Sequence, residues 1–225
     1  MIILIIIVVC CYFYFDKRKF DKSNYKIESG NTYFNTRFNA GNNGEFLTFS
    51  KLERISRSSK IVTNVYLPKE DGTTTEIDLV LIHETGIYVF ESKNYGGWIF
   101  GNEKSKYWTQ TFKTGRKEQF YNPIWQNNTH VKHLKTYLPD IADNIFQSII
   151  VFSERCTLKR IEIYSQNIKV INRYKLNSLM DELIRKNGIA LTSTEVDDIY
   201  RKLKIHTNKS RDFKQKHIES INLKS

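Results

Sequence analysis

The 225-residue chain reads as an α/β protein preceded by an apolar N-terminal helix. Three observations predict this. Two apolar runs, Glu76 to Ile82 and Ile87 to Lys93, flank the turn residues His83-Glu84-Thr85-Gly86 and read as a β-hairpin. Segments opening near Gly44 and after Asn122-Pro123 carry apolar residues at helical spacing. Met1 to Phe15 holds no charged side chain.

Taken in order, the N-terminal run Met-Ile-Ile-Leu-Ile-Ile-Ile-Val-Val-Cys-Cys-Tyr-Phe-Tyr-Phe is followed at once by Asp16-Lys17-Arg18-Lys19. It is short for a spanning helix, which needs about 20 apolar residues. A cleaved signal peptide is the main rival, but no basic stretch precedes the run and no small-residue cleavage site follows it. The cluster Tyr12-Phe13-Tyr14-Phe15 reads as an interfacial belt, and the basic group beyond it places that side toward the cytoplasm. The expectation is a single-pass membrane protein: anchor 1–15, juxtamembrane segment 16–38, a cytoplasm-facing domain 39–204 and a basic C-terminal tail 205–225. A buried core strand is the alternative for the first segment.

Within the domain, Gly41-Asn42-Asn43-Gly44-Glu45 opens a helix whose buried stripe is Phe46, Phe49, Leu52 and Ile55, with Glu45 expected in the first turn, where the helix dipole favours an acid. The hairpin 76–93 follows. Asn122-Pro123 is a cap and first-turn signal. Beyond it Ile124, Val131, Leu134 and Leu138 mark a buried face, while Gln126, His130, His133 and Tyr137 share another, expected at the helix surface. Phe146 to Phe152 reads as a buried strand and Ile168 to Ile171 as a short one. Leu176 to Ile184 and Glu195 to Leu203 read as amphipathic helices, the second started by Thr192-Ser193-Thr194. No internal repeat or interdomain linker is visible.

Composition bounds the function. Apolar residues make up 40% of the chain and there are only three prolines, which argues against long disordered stretches. Cys10 and Cys11 lie in the apolar segment, so Cys156 has no framework partner, in keeping with a reducing compartment. The net charge is +11, and Arg201 to Ser225 holds eight Lys or Arg against Asp212 and Glu219. That balance favours polyanions, either phosphodiester backbones or anionic lipid headgroups.

The chemistry is concentrated in the hairpin. Strand side chains alternate, so Glu91 and Lys93 share the face of Ile87 and Val89 while Ser92 points the other way. Charge at the end of an apolar row is expensive unless paired or metal-bound. Asp78 interrupts the neighbouring run, and antiparallel pairing about Gly86 can bring it beside Glu91. A divalent cation resolves the repulsion of two carboxylates, and an Asp/Glu pair with no Cys or His expected beside it suits Mg²⁺ or Mn²⁺. Lys93 then holds attacking water or stabilises charge on a phosphate. This is the chemistry of metal-dependent phosphodiester hydrolysis. Tyr95, Trp98 and Trp108 follow the hairpin and could stack on bases, though they read first as core residues of a next hairpin.

The residues Gly44-Glu45, Asn64 to Pro68, Glu76 to Leu81, Gly86 to Asn94, Gly97 to Gly101, Trp108 and Asn122 to Gln126 together resemble the nuclease-related domain (NERD) family, placed by similarity in the PD-(D/E)xK nuclease superfamily. The resemblance is densest over 41–138. It implies a restriction-endonuclease-like core with a central mixed β-sheet flanked by helices. It also implies Glu45 as the helix acid, Asp78 and Glu91 as metal ligands with Glu45 assisting, Lys93 as catalytic lysine and Gln126 as the helix amide of the site. The implied partner is nucleic acid, DNA before RNA.

Other chemistries are absent from the sequence. There is no Gly-x-x-x-x-Gly-Lys-Ser/Thr loop and no Gly-x-Ser-x-Gly elbow. His130 and His133 lack a closing pair of zinc ligands at the usual spacing. Two functions of different class are therefore expected: a membrane-anchored, divalent-metal-dependent nuclease, or a non-catalytic module on the same fold that tethers nucleic acid or a partner.

Overall fold

The structure, a computed structural model, describes residues 1–55, 58–69 and 71–207 together with Phe213 and Glu219. Most of the basic tail expected over 205–225 lies outside the described residues.

The first helix, α1 (Ile2–Asp21), runs on past Phe15 and carries Asp16, Lys17, Arg18, Lys19 and Asp21 in its last turns. Its uncharged part, Ile2 to Phe15, is about 21 Å long at about 1.5 Å per residue, against a hydrocarbon core of about 30 Å. No helix among the described residues is long and apolar enough to cross a membrane. This overturns the expected transmembrane anchor, the single-pass location and the lipid contact that went with it. The charged end of α1 folds onto protein instead. Phe20 is buried against Tyr25, Tyr33 and Phe46, with ring centroids 6.2, 5.7 and 5.3 Å away. Asp16 accepts a 2.9 Å hydrogen bond from the Tyr33 hydroxyl and pairs with Arg37 at 3.2 Å. The segment expected as a juxtamembrane connection thus supplies core residues, with the short helices α2 (Tyr25–Ser29) and α3 (Tyr33–Phe38).

Helix α4 (Ala40–Leu52) starts earlier than its apolar stripe suggested, because the Asn39 side chain caps it by accepting from the Asn42 amide at 3.0 Å. Its first turn holds no acidic residue, so Glu45 lies beyond the reach of the dipole argument. Phe46, Phe49 and Leu52 are buried as expected, each worth about 1.5–3 kcal/mol of burial.

The main sheet has five strands in the order β1-β2-β3-β7-β9. β1 (Lys60–Pro68), β2 (Thr74–His83) and β3 (Gly86–Lys93) are antiparallel, whereas β7 (Phe146–Phe152) and β9 (Ile168–Asn172) join parallel to β3, so the sheet is mixed. The β2–β3 turn closes at His83 opposite Gly86, where φ is 145° and an added Cβ would sit 2.7 Å from the Ile145 carbonyl oxygen. Only glycine fits there. The chain passes from β3 to β7 through α5 (Pro123–Tyr137), capped by Asn122, whose side chain accepts from the Ile124 amide at 2.9 Å. α6 (Leu176–Lys186) and α7 (Ser193–Lys204) follow, the latter opened by a reciprocal Thr192 and Glu195 capping box.

A second sheet, order β6-β5-β4-β8, extends the hairpin expected after Lys93 by two further strands. It comprises β4 (Gly97–Asn102), β5 (Tyr107–Thr111), β6 (Lys117–Tyr121) and β8 (Cys156–Glu162). Trp108 is buried in it, its indole stacked on Phe152 at 6.1 Å, and Tyr95 packs on Phe120 at 4.8 Å. Of the three aromatic candidates for stacking, Trp98 is the exposed one, with the Lys159 ammonium 5.5 Å from its ring.

Two apolar layers sandwich the main sheet. Val80, Ile82, Ile87 and Val89 pack against Val131 and Leu134 of α5 and Val196 and Ile199 of α7. Leu79, Leu81, Tyr88 and Phe90 pack against Phe46 and Phe49 of α4 and Met180 of α6.

Candidate functional site

The alternation along β3 carries through to its charged end. Ile87 and Val89 face α5, Tyr88 and Phe90 face α4. Glu91 and Lys93 therefore emerge on the α5 side, and the Ser92 hydroxyl on the α4 side, 3.3 Å from Thr48 Oγ1. The regularity fails on the other two strands. On β1, Val62 and Val65 both join the α5 layer, and on β2 so do Ile77 and Val80, so each strand reverses faces between them. Asn64 absorbs the reversal with a left-handed φ of 51°. Asp78 lies within the reversed segment of β2, and one of its oxygens, Oδ2, accepts from the Ser92 amide at 2.9 Å.

Lys93 Nζ lies 2.6 Å from Glu91 Oε1 and donates to Gln126 Oε1 at 3.0 Å. Gln126 reaches the site from the first turns of α5. The neighbouring Asn127 holds that helix to the sheet, its buried Nδ2 donating to the Val89 carbonyl and to Ser148 Oγ, both at 2.9 Å. One helical turn beyond Gln126, His130 is buried rather than at the surface. Its Nδ1 is 2.8 Å from Thr75 Oγ1 and its Nε2 faces Glu91 Oε2 at 3.4 Å, outside hydrogen-bond geometry. Sequence reasoning missed this residue as a member of the site. The signal was its i, i+4 spacing from Gln126. His133, one position short of the next turn, is half-exposed and takes no part.

Glu45 stands on α4, on the other side of the sheet from Gln126. Its Oε2 accepts from the Tyr25 hydroxyl at 3.3 Å. Gly44 allows α4 to approach so closely: a Cβ there would lie 2.9 Å from Asn94 Cβ. The site thus joins Glu91, Lys93 and Gln126 by direct contacts, adds Asp78 through the Ser92 amide, and includes Glu45 through the effect of its charge on Asp78.

The charges are tuned by these neighbours. Burial and the charges of Glu91 and Glu45 push the Asp78 carboxyl well above its usual range, against Lys93 and the Ser92 amide. Burial alone would raise Glu91 too, but Lys93 and His130 outweigh it and hold that carboxyl below its ordinary value. Burial disfavours the Lys93 ammonium, and the attraction of Glu91 and Asp78 more than restores it, so its pKa is raised. Its neighbours thus favour the ammonium form, which donates to Gln126 and pairs with Glu91.

Among the described residues no three His, Cys, Asp or Glu side chains gather as a ready metal cage. The fit to a hard divalent cation rests on two carboxylates. Asp78 and Glu91 repel each other, and Glu91 Oε2 is a buried oxygen with no hydrogen bond among the described residues. Oxygen donors of this kind suit Mg²⁺ or Mn²⁺ better than zinc.

The nuclease-related domain family matches residues 40–153. An uncharacterized protein of Bacillus anthracis is 32% identical over 185 residues, spanning 82% of this chain and 84% of the relative. No solved structure matches the chain.

Proposed function

Because this chain belongs to the nuclease-related domain family, we propose that it is a divalent-metal-dependent nuclease hydrolysing phosphodiester bonds of DNA or RNA on a restriction-endonuclease-like core. The observation that carries this reading is the convergence on Glu91 of Lys93 at 2.6 Å and His130 at 3.4 Å, with Gln126 on Lys93 at 3.0 Å. Three polar groups held around one buried carboxylate are a costly arrangement for a purely structural strand end.

Asp78 and Glu91 would hold the cation, with Glu45 approaching from α4. Bound there, it supplies Lewis-acid polarisation of a phosphoryl oxygen. Lys93 contributes its charge and a third N–H, because two of its donors are engaged by Glu91 and Gln126. That N–H orients the attacking water or meets the phosphate oxygen on which charge builds. Gln126 fixes the ammonium by accepting from it. His130 and Thr75 fix Glu91 from the opposite side, so the carboxylate is oriented before substrate arrives.

A second reading, a non-catalytic module that tethers nucleic acid or a partner, draws on the absence of a three-ligand cage among the described residues. One experiment separates the two. The full-length protein and Glu91→Gln are incubated with labelled linear, circular and branched DNA and RNA in Mg²⁺ or Mn²⁺. Cleavage by the wild type that disappears in the variant supports the nuclease. Salt-sensitive binding by both, without cleavage by either, supports the tether.

A further inference from the structure

Behind the sheet, on the α4 side, a cavity of about 190 Å³ is lined by Lys19, Lys51, Arg54 and Arg173, with Ser50 and a single carboxylate, Glu154. Arg173 follows β9 directly, and its side chain is 1% exposed. Its Nη1 donates to Glu154 Oε2 at 2.7 Å and its Nε to Thr48 Oγ1 at 3.1 Å. Its Nη2 is buried with no acceptor among the described residues. A buried donor left unmatched is costly, and more so on a charged group.

An ion pair that merely fastened the end of β9 to the β7–β8 turn would need only Arg173 and Glu154. Lys19, Lys51 and Arg54 add three positive charges to the same small space, and burial, Arg54 and Lys51 together disfavour the Lys19 ammonium despite the attraction of Asp16 and Glu154. The cavity is short of negative charge and of acceptor oxygens. A tetrahedral oxyanion supplies both, with enough oxygens to meet a guanidinium fork and two or three further cations.

We propose that this cavity binds a phosphate group, at a site distinct from the Glu91 centre. Thr48 connects the two: its Oγ1 accepts from Arg173 and lies 3.3 Å from the hydroxyl of Ser92, whose amide holds Asp78. A phosphate of a nucleic-acid strand is the ligand that fits both this placement and the nuclease reading, while free phosphate presents the same chemistry. The site itself does not depend on hydrolysis, so it is tested by binding in the presence of a chelator.

The full-length protein is titrated with inorganic phosphate against chloride of equal ionic strength, and with 5′-phosphorylated and 5′-hydroxyl single-stranded oligonucleotides of one sequence. The same titrations are run on Lys51→Ala/Arg54→Ala, whose positions are half-buried and exposed, and on Glu154→Gln. The double variant is expected to weaken phosphate binding by about tenfold or more, which is about 1.4 kcal/mol. Glu154→Gln is expected to strengthen it by about threefold, because a competing carboxylate is removed, whereas a purely structural pair would show only a lower melting temperature. Preference for the 5′-phosphorylated strand identifies an end phosphate, equal binding of both strands a backbone phosphate, and response to inorganic phosphate alone the free ion. Equal affinity in wild type and double variant, or no response beyond chloride to any of the three, overturns the proposal. Absence of cleavage by the wild type, with phosphate binding intact, would count against the nuclease reading only.

Discussion

His130 Nε2 faces Glu91 Oε2 at 3.4 Å while Thr75 holds the opposite ring nitrogen at 2.8 Å, so the imidazole is wedged between β2 and the carboxylate that ends β3. Removing it leaves the Thr75 hydroxyl without this partner and frees Glu91 to turn. His130→Ala is expected to cost about 1–3 kcal/mol in urea unfolding and to lower cleavage while leaving nucleic-acid binding in chelator unchanged. Retention of full cleavage would remove His130 from the site.

Lys93 and Glu91 form a largely buried ion pair. Taking away one partner leaves an uncompensated charge, so Lys93→Met is expected to destabilise the fold by about 3 kcal/mol. In the double variant with Glu91→Gln most of that loss should return. A double-mutant cycle of unfolding free energies measures the interaction, and a coupling below about 0.5 kcal/mol would contradict the pairing.

Burial first, and then the charges of Glu91 and Glu45, disfavour the Asp78 carboxylate. Without metal, Asp78→Asn relieves that repulsion, and a gain of about 1 kcal/mol would raise the melting temperature by roughly 2–4 °C. The same variant should lose the calorimetric heat of Mg²⁺ or Mn²⁺ binding. Unchanged affinity would sink the ligand assignment.

Gly44 sits where a side chain would meet Asn94 Cβ at 2.9 Å. Gly44→Ala is therefore expected to push α4 off the end of β3 despite the better helix propensity of alanine, at a net cost of about 1–3 kcal/mol. Because the shift carries Glu45 with it, cleavage should fall as well. A more stable variant in thermal melting would show that the helix can yield.

The Tyr200 hydroxyl donates to Glu28 Oε1 at 2.9 Å, joining α7 to α2, and burial together with that carboxylate raises its pKa to about 12. A phenol whose folded pKa exceeds the unfolded value of about 10 keeps its proton more readily in the native state. Its contribution is complete below pH 10 and is lost as pH rises toward 12. Tyr200→Phe should be less stable than wild type at pH 9, and the gap should narrow by pH 12. A gap that does not change with pH would show that the hydroxyl is not linked to Glu28.

Much of the architecture was legible because periodicity is a local property of the backbone. The 76–93 hairpin, the α5 cap at Asn122-Pro123, the buried strand 146–152 and the Thr192 start of α7 each carry their signal within a few residues. Strand β8 carries no such signal. Thr157, Lys159 and Arg160 face solvent, and its parallel pairing with β4 joins segments far apart in sequence, with a register shift at Ile99 and Phe100. The end of α1 was misjudged because a charged run was read as a boundary, although Lys and Arg continue a helix readily and Phe20 had a core to enter.

The same division runs through the site. Alternation along one strand places Glu91 and Lys93 on a common face whatever else the chain does, and that relation was readable from five residues of β3. Three other relations depend on how separate elements pack: that His130 points inward, that Glu45 approaches from the opposite layer, and that Arg173 meets Thr48 and Glu154. Side chains one strand or one turn apart are positioned by covalent geometry, whereas those brought from distant segments are positioned by the competition of whole faces for burial, and only the packed fold resolves it.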